Sequence, residues 1–183
     1  MHEQGLDNLK PSKNLNGLPE IMESLNFVKQ FFLGLTFYTT HIKSNLEEAS
    51  RTSNNNLFEE RASKVLKGFH DHLKTGSFTY TFVLVKLQNT CRLMETLVNN
   101  NPQEKEDSEL RRSYQDVLNM RNFMAYNEIP IQKLKKLCES SSVLDRDDIK
   151  TTLDFMNKFV INSAIQWTYL RRAMKTLEEW SKS

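Results

Sequence analysis

Apolar side chains recur at alternating intervals of four and three residues along most of the chain. Beginning at Pro19, which suits the first turn of a helix, this spacing continues for about 27 residues, or roughly 40 Å of helix. We call this predicted element helix A. Its apolar positions are Ile21, Leu25, Val28, Phe32, Leu35, Ile42 and Leu46. The spacing predicts a long amphipathic helix with one buried face.

Three further segments show the same spacing. Helix B carries it from Tyr80 to Val98 and helix C from Leu110 to Met124. Helix D is predicted from about Asp147 to Trp180 and carries the spacing from Leu153 to Leu177. A shorter apolar face between Phe58 and Leu73 predicts an extra helix in the connection from A to B. The start of helix B, "SFTYTFVLV", is rich in the β-branched and aromatic residues that are typical of strands. Because the helical spacing persists to Val98, we predict a helix there.

The connections between these helices predict the topology. About 30 residues join A to B, about nine join B to C and about 20 join C to D, with Pro130 ending or kinking helix C. A short connection forces antiparallel neighbours, whereas a connection of 20 to 30 residues can run the length of a bundle. The chain is therefore predicted to be an all-α four-helix bundle with up-up-down-down order and long A–B and C–D crossovers. Residues 1–17 are polar and predict a flexible tail, which leaves residues 18–183 as a single bundle domain.

Composition excludes several classes of function. The formal net charge is only +2, with 25 basic and 23 acidic residues, so no single-sign charge indicates binding to nucleic acid or insertion at a membrane. No apolar run approaches the roughly 18 residues of a membrane span. The first 20 residues also lack the basic region and apolar core of a signal peptide. Two locations stay open: a secreted mature chain lacking its signal peptide, or a cytoplasmic chain.

Catalytic motifs are missing from the sequence. His70 and His72 would point about 200° apart on one helix and could not share a metal. The chain contains no G-x-S-x-G, no H-E-x-x-H, no glycine-rich phosphate loop and no pair of Glu-x-x-His motifs for a diiron site. We therefore expect no enzyme activity, no cofactor and no metal site.

The two cysteines permit two interpretations. Cys91 occupies a core position of helix B, and Cys138 lies at the end of the segment after Pro130. They are either two buried thiols or one disulfide, and the disulfide is available only in an oxidising compartment.

Helix D carries large side chains on two sides in "SAIQWTYLRRAMKTLEEW", residues 163–180. A predicted core stripe comprises Leu153, Met156, Val160, Trp167, Leu170, Met174 and Leu177. Other large side chains fall away from that stripe, namely Ile165, Tyr169, Arg172, Trp180 and Phe155 on helix D, and Phe27 and Tyr38 on helix A. Either crossover segments cover these faces, or exposed aromatic, Ile and Arg residues form a surface for a partner.

Parts of helices A and D resemble a known family. "QWTYLRRAMKTL" resembles the D helix of the interleukin-6 superfamily, whose ciliary neurotrophic factor, interleukin-11 and cardiotrophin branches carry a Trp followed by an Arg three to four residues on. "LNFVKQFFLGLTFYTT" is similar to the first helix of the interleukin-12 alpha subunit. The segment from Phe155 to Lys158 is similar to the Phe-x-x-Lys of the leukaemia-inhibitory-factor branch.

This resemblance implies a secreted cytokine that binds and assembles cell-surface cytokine receptor chains to trigger signalling. The receptor-binding residues that follow from it and from the outward faces are Ile165, Tyr169, Arg172, Trp180, Phe155, Lys158, Phe27 and Tyr38. By similarity to the interleukin-12 branch, Arg171 or Arg172 would enter a pocket of a soluble partner subunit. The alternative is a cytoplasmic helical adaptor or regulator that binds a partner helix in a groove.

Overall fold

The computed structural model of the chain describes residues 12–74, 80–139 and 145–183. Within these ranges every regular element is a helix, which confirms the predicted all-α class. The helices are α1 Leu18–Ser50, α2 Asn55–Lys74, α3 Tyr80–Asn99, α4 Glu109–Tyr126, α5 Glu128–Glu139 and α6 Arg146–Lys182. Predicted helices A, B, C and D correspond to α1, α3, α4 and α6. None of the helices in these ranges combines the length and apolar character needed to cross a membrane.

Local sequence signals explain where three helices begin. Gly17 precedes α1 with φ of 86°, a left-handed conformation that glycine adopts without steric cost, and a proline follows in the first turn. Ser108 caps α4 by accepting a hydrogen bond from the backbone N–H of Arg111. Asp145 caps α6 in the same way by accepting from the N–H of Asp147. Each cap satisfies an N–H group that the helix itself leaves unpaired.

The two longest helices, α1 and α6, are antiparallel. They contain 33 and 37 residues and are about 50 and 55 Å long. At one end, the Arg146 guanidinium at the start of α6 donates to the carbonyl of Ser50 at the end of α1. At the other end, Lys13 precedes α1 and donates to the carbonyl of Trp180 near the end of α6.

Helix α3 is antiparallel to α1, so the predicted up-up-down-down order is wrong. The side chain of Asn101, just after α3, accepts from the N–H of Asn14 and donates to its carbonyl, which places the end of α3 beside the start of α1. At the start of α3, the ring of Tyr80 lies 6.4 Å from that of Phe31 in α1. The Tyr80 hydroxyl also donates to the carbonyl of Met124 near the end of α4, so α3 and α4 are antiparallel as well.

The long connections are not crossovers, because each contains a helix that belongs to the bundle. Only residues 51–54 separate α1 from α2, so α2 folds back along α1 and α3 continues downward from it. Helix α5 follows α4 after a one-residue break at Asn127 and continues upward beside α2. We call the four antiparallel stretches columns 1 to 4: α1, α2 with α3, α4 with α5, and α6. Their order is up-down-up-down.

The core runs between the four columns. A row of neighbouring aromatic rings, tilted relative to one another, crosses it from α6 through α4 to α1. Successive ring centroids are 5.6 Å apart for Phe155 and Phe159, 5.5 Å for Phe159 and Phe123, and 6.2 Å for Phe123 and Phe32. Residues 12–17, predicted as part of a flexible tail, lie across the lower end of the bundle through the bonds of Lys13 and Asn14. Residues 1–11 lie outside the described ranges.

The two tryptophans of α6 exchange their predicted positions. Trp180, predicted on the outer side, is buried with 3% of its surface exposed, and its indole N–H donates to a carboxylate oxygen of Glu104 at 2.8 Å. Trp167, predicted in the core stripe, is only partly buried, with the ammonium of Lys29 5.8 Å from the centre of its ring. The last turns of α6 face both α4 and residues 12–17. Trp180 lies off the predicted stripe, but these residues cover it.

Candidate partner-binding surfaces

An apolar groove lies between α5 and the first turns of α6. Helix α5 packs more closely against α2 than against α6, and this spacing leaves an open channel of about 400 Å³. We call it the α5–α6 groove. It is lined by Pro130, Lys133, Leu134, Leu137, Asp148, Thr151, Thr152 and Phe155.

The wall formed by α5 follows from its sequence. Asn127 ends α4 with its side-chain amide donating to the carbonyl of Phe123, and α5 begins one residue later. Pro130 falls in the first turn of α5, where a missing N–H removes no helical hydrogen bond. Because Pro130, Leu134 and Leu137 are spaced by four and three residues, they occupy one face of α5. Leu134 is buried, whereas Pro130 and Leu137 are partly exposed to the groove.

The wall formed by α6 combines an aromatic side chain with opposite charge. Phe155 is the outermost ring of the aromatic row, and contact with the tilted ring of Phe159 holds it in place. The exposed Lys133 ammonium on α5 and the exposed Asp148 carboxylate on α6 both line the groove, one from each wall. The groove therefore offers an apolar floor between a basic rim and an acidic rim.

The outer face of α6 forms a second surface, which we call the α6 outer stripe: Ile161, Ile165 and Tyr169. Ile161 is 64% exposed and Ile165 is 45% exposed, while Tyr169 is partly buried. The exposure of Ile165 agrees with its predicted outward orientation, whereas Tyr169 is partly covered.

Arg172 lies beside this stripe but already has a partner within the chain. Its guanidinium donates two hydrogen bonds to the carboxylate of Asp116 in α4, at 2.8 and 2.6 Å, and lies 5.2 Å from the ring of Tyr169. The bonds to Asp116 and its negative charge raise the pKa of Arg172 above its usual range. The Asp116 side chain is only 8% exposed, so Arg172 neutralises a buried carboxylate. Sequence spacing gave no sign of this pair, because the two residues are 56 positions apart.

The remaining predicted contact residues do not form one surface. Phe155 lines the α5–α6 groove, and Lys158 is exposed one turn further along α6. Phe27 is partly buried between α1 and α3, where its ring meets Phe82 edge-on at 5.8 Å. The side chain of Tyr38 lies outside the described part of the structure.

Cys91 lies in the core of α3, and its thiol has no disulfide partner among the described residues. Its Sγ faces the carbonyl of Val117 in α4, and burial raises its pKa to about 11, so the thiol is protonated and unreactive near neutral pH. The alternative of a disulfide between Cys91 and Cys138 concerns a side chain outside the described residues, so both interpretations of the cysteines stay open. Among residues 12–74, 80–139 and 145–183, no group of three or more His, Cys, Asp or Glu side chains is arranged to hold a metal ion.

A search of known protein families, curated proteins and solved structures found no match to this chain. The resemblance to the interleukin-6 superfamily therefore stays a hypothesis that rests on the residues of helices A and D.

Proposed function

We propose that this chain is a non-catalytic protein that acts by binding a partner protein, and that the α5–α6 groove receives an amphipathic helix of that partner. The observation that supports this proposal is the groove itself. Its two antiparallel walls each extend over about eight residues, or roughly 11 Å of helix. A partner helix with apolar residues at positions i, i+3 or i+4, and i+7 would cover such an apolar floor.

The charges of the groove define the occupant further. A helix lying between Lys133 and Asp148 is favoured when it carries an acidic residue toward α5 and a basic residue toward α6. Ile129, one residue before Pro130 in the first turn of α5, is a further exposed apolar side chain of this helix. This function is that of a helical adaptor or regulator, the alternative to a secreted cytokine, and it requires no secretion.

The test uses labelled 16-residue amphipathic peptides that carry Leu along one face, Glu on one edge and Lys on the other. We expect binding by fluorescence anisotropy, and we expect Thr151→Arg to weaken it at least tenfold because the longer side chain fills the groove. Thr40→Arg is the matched control, since both threonines are exposed and donate to the carbonyl four residues earlier. Equal affinities for the two variants would show that the peptides bind elsewhere.

A receptor ligand of the cytokine type is the second candidate. It is supported by the α6 outer stripe, where two aliphatic side chains are exposed beside an aromatic one. Up-down-up-down order is not the topology of that superfamily. The candidate therefore rests on the helix-D motif and the stripe, without support from the topology, and it includes secretion and assembly of receptor chains or of a soluble partner subunit.

Binding to a panel of cytokine receptor ectodomains tests this second candidate. Ile165→Glu should abolish binding to a cognate ectodomain if the stripe is the contact. Leu33→Glu on α1 is a matched control because Leu33 and Ile165 are almost equally exposed, at 46% and 45%. A panel without any binder, or a binder that tolerates Ile165→Glu, would contradict the candidate.

A further inference from the structure

A basic depression lies between α1 and the C-terminal half of α6, remote from the α5–α6 groove. It has a volume of about 530 Å³, and we call it the α1–α6 depression. Four cationic side chains line it, those of Lys29, Arg171, Arg172 and Lys175, and Glu178 is the one carboxylate in its described lining.

The carboxylates nearby neutralise only some of these cations. Arg172 is paired with Asp116, and Lys175 lies 3.9 Å from Glu179. Glu178 accepts a hydrogen bond from Lys182 at 2.8 Å, and this bond lowers its pKa, so the carboxylate is ionised and already has Lys182 as a cationic partner. Arg171 and Lys29 have no carboxylate within 4.0 Å in the part of the chain that the structure describes. Positive charge is therefore left unbalanced on both walls.

The floor of the depression is apolar. Met22 from α1 and Met174 from α6 are partly buried, pack against the core and line the space beneath the cations. Beside the depression, the ammonium of Lys29 lies 5.8 Å from the centre of the Trp167 ring. Methionine side chains are unbranched and polarisable, so they adapt to apolar groups of different shape.

We infer that the α1–α6 depression binds an acidic segment of a partner protein that also carries apolar side chains. A carboxylate of that segment meets the guanidinium of Arg171, which can donate two parallel hydrogen bonds to it, and a second carboxylate lies between Lys29 and Lys175. An apolar side chain of the segment covers Met22 and Met174. Charge complementarity selects an acidic occupant, and the apolar floor favours a peptide over a purely polyanionic chain.

The probe is a fluorescein-labelled 12-residue peptide of Glu and Leu, titrated against the whole chain and followed by anisotropy. Arg171→Glu combined with Lys175→Glu should weaken binding at least tenfold. Lys64→Glu combined with Lys67→Glu makes the same change of charge at exposed positions of α2 and should leave the affinity unchanged. Similar losses in both double variants would mean that only net charge matters, and would overturn the site.

Two further measurements separate the components of the site. The peptide with Gln in place of Glu should bind at least tenfold more weakly. Met22→Gln should lower the affinity for the Glu peptide without changing how that affinity depends on salt. A heparin oligosaccharide that binds more tightly than the peptide would overturn the choice of a protein segment. The choice of a partner protein would also be overturned if copies of this chain associate with one another through the depression and thereby block the peptide.

This inference is independent of the α5–α6 groove. Thr151→Arg should leave the affinity for the acidic peptide unchanged, and the Arg171 and Lys175 double variant should leave binding of the amphipathic peptides unchanged. Failure of one site can thus be distinguished from failure of the other.

Discussion

The pairing of Arg172 with Asp116 shows what a single residue contributes here. Asp116 is buried on the face of α4 that meets α6, where an isolated carboxylate would be strongly unfavourable. Two hydrogen bonds from a planar guanidinium satisfy both of its oxygens. The position of Arg172 on a helical wheel correctly indicated a side chain off the core stripe, but a wheel contains no information about the neighbouring helix.

Arg172→Ala should lower the free energy of unfolding by about 1–3 kcal/mol, because it leaves the Asp116 carboxylate buried and unpaired. Arg171→Ala, the adjacent exposed residue, should change it by less than about 0.5 kcal/mol. Urea unfolding of both variants checks this. Equal effects would mean that Asp116 is hydrated and needs no partner.

The two tryptophans should respond very differently to truncation. Trp180→Ala removes a buried ring together with its hydrogen bond to Glu104 and should cost about 3–5 kcal/mol. Trp167→Ala removes a partly buried ring, so we expect about 1–2 kcal/mol from the lost apolar contact. Thermal unfolding compares the two, and a larger loss for Trp167→Ala would contradict the burial described above.

At the scale of elements, α5 is the helix whose length the sequence underestimates. The proline in "NEIPIQKLKKLCE" indicates a break, and the following residues predict at most two turns. The structure has a helix of 12 residues there, because Pro130 lies in its first turn and interrupts nothing.

Pro130→Ala should therefore change the stability by less than about 1 kcal/mol, since the proline already fits its position. Lys133→Pro, one turn later in the same helix, should cost about 3 kcal/mol or more through the lost hydrogen bond and the steric clash. Circular dichroism during thermal unfolding measures both variants. A large effect of Pro130→Ala would mean that the proline holds α5 in its direction.

Helices were predictable from the sequence because the spacing of apolar residues follows directly from 3.6 residues per turn. The predicted positions of α1, α3, α4 and α6 agree with the observed helices for that reason. The α5–α6 groove was not predictable, since it depends on the distance between two helices. The sequence indicates only one wall of the groove, through the apolar face of Pro130, Leu134 and Leu137.

At the scale of the whole molecule, the lengths of the connections suggested the wrong topology. A link of about 30 residues can be an extended crossover or can contain a helix that fills a column of the bundle, and both fit the same sequence. The apolar face of α2 favoured the second possibility. Residues 51–54 turn the chain back along α1, and the number of residues in the link does not reveal such a turn.

Spin labels at exposed positions test the topology directly. Labels at Glu20 and Asn100 should lie close together, because the start of α1 adjoins the end of α3. Labels at Glu20 and Thr81 should be further apart, by roughly 17 Å along the bundle axis, because Tyr80 lies beside Phe31, which follows Glu20 by eleven residues in α1. Electron spin resonance measures both distances, and the reverse order would restore the up-up-down-down bundle.

The interruptions of columns 2 and 3 occur at the same height of the bundle. Column 2 changes from α2 to α3 and column 3 from α4 to α5 near the hydrogen bond between Tyr80 and the carbonyl of Met124. Only α1 and α6 pass this level as continuous helices. The upper half, with α2 and α5, can consequently open while the lower half keeps its packing. Amide protons of α2 and α5 should then exchange with deuterium well before those of α3 and α4. The upper half and the lower half of the bundle would thus behave as two cooperative units within one chain.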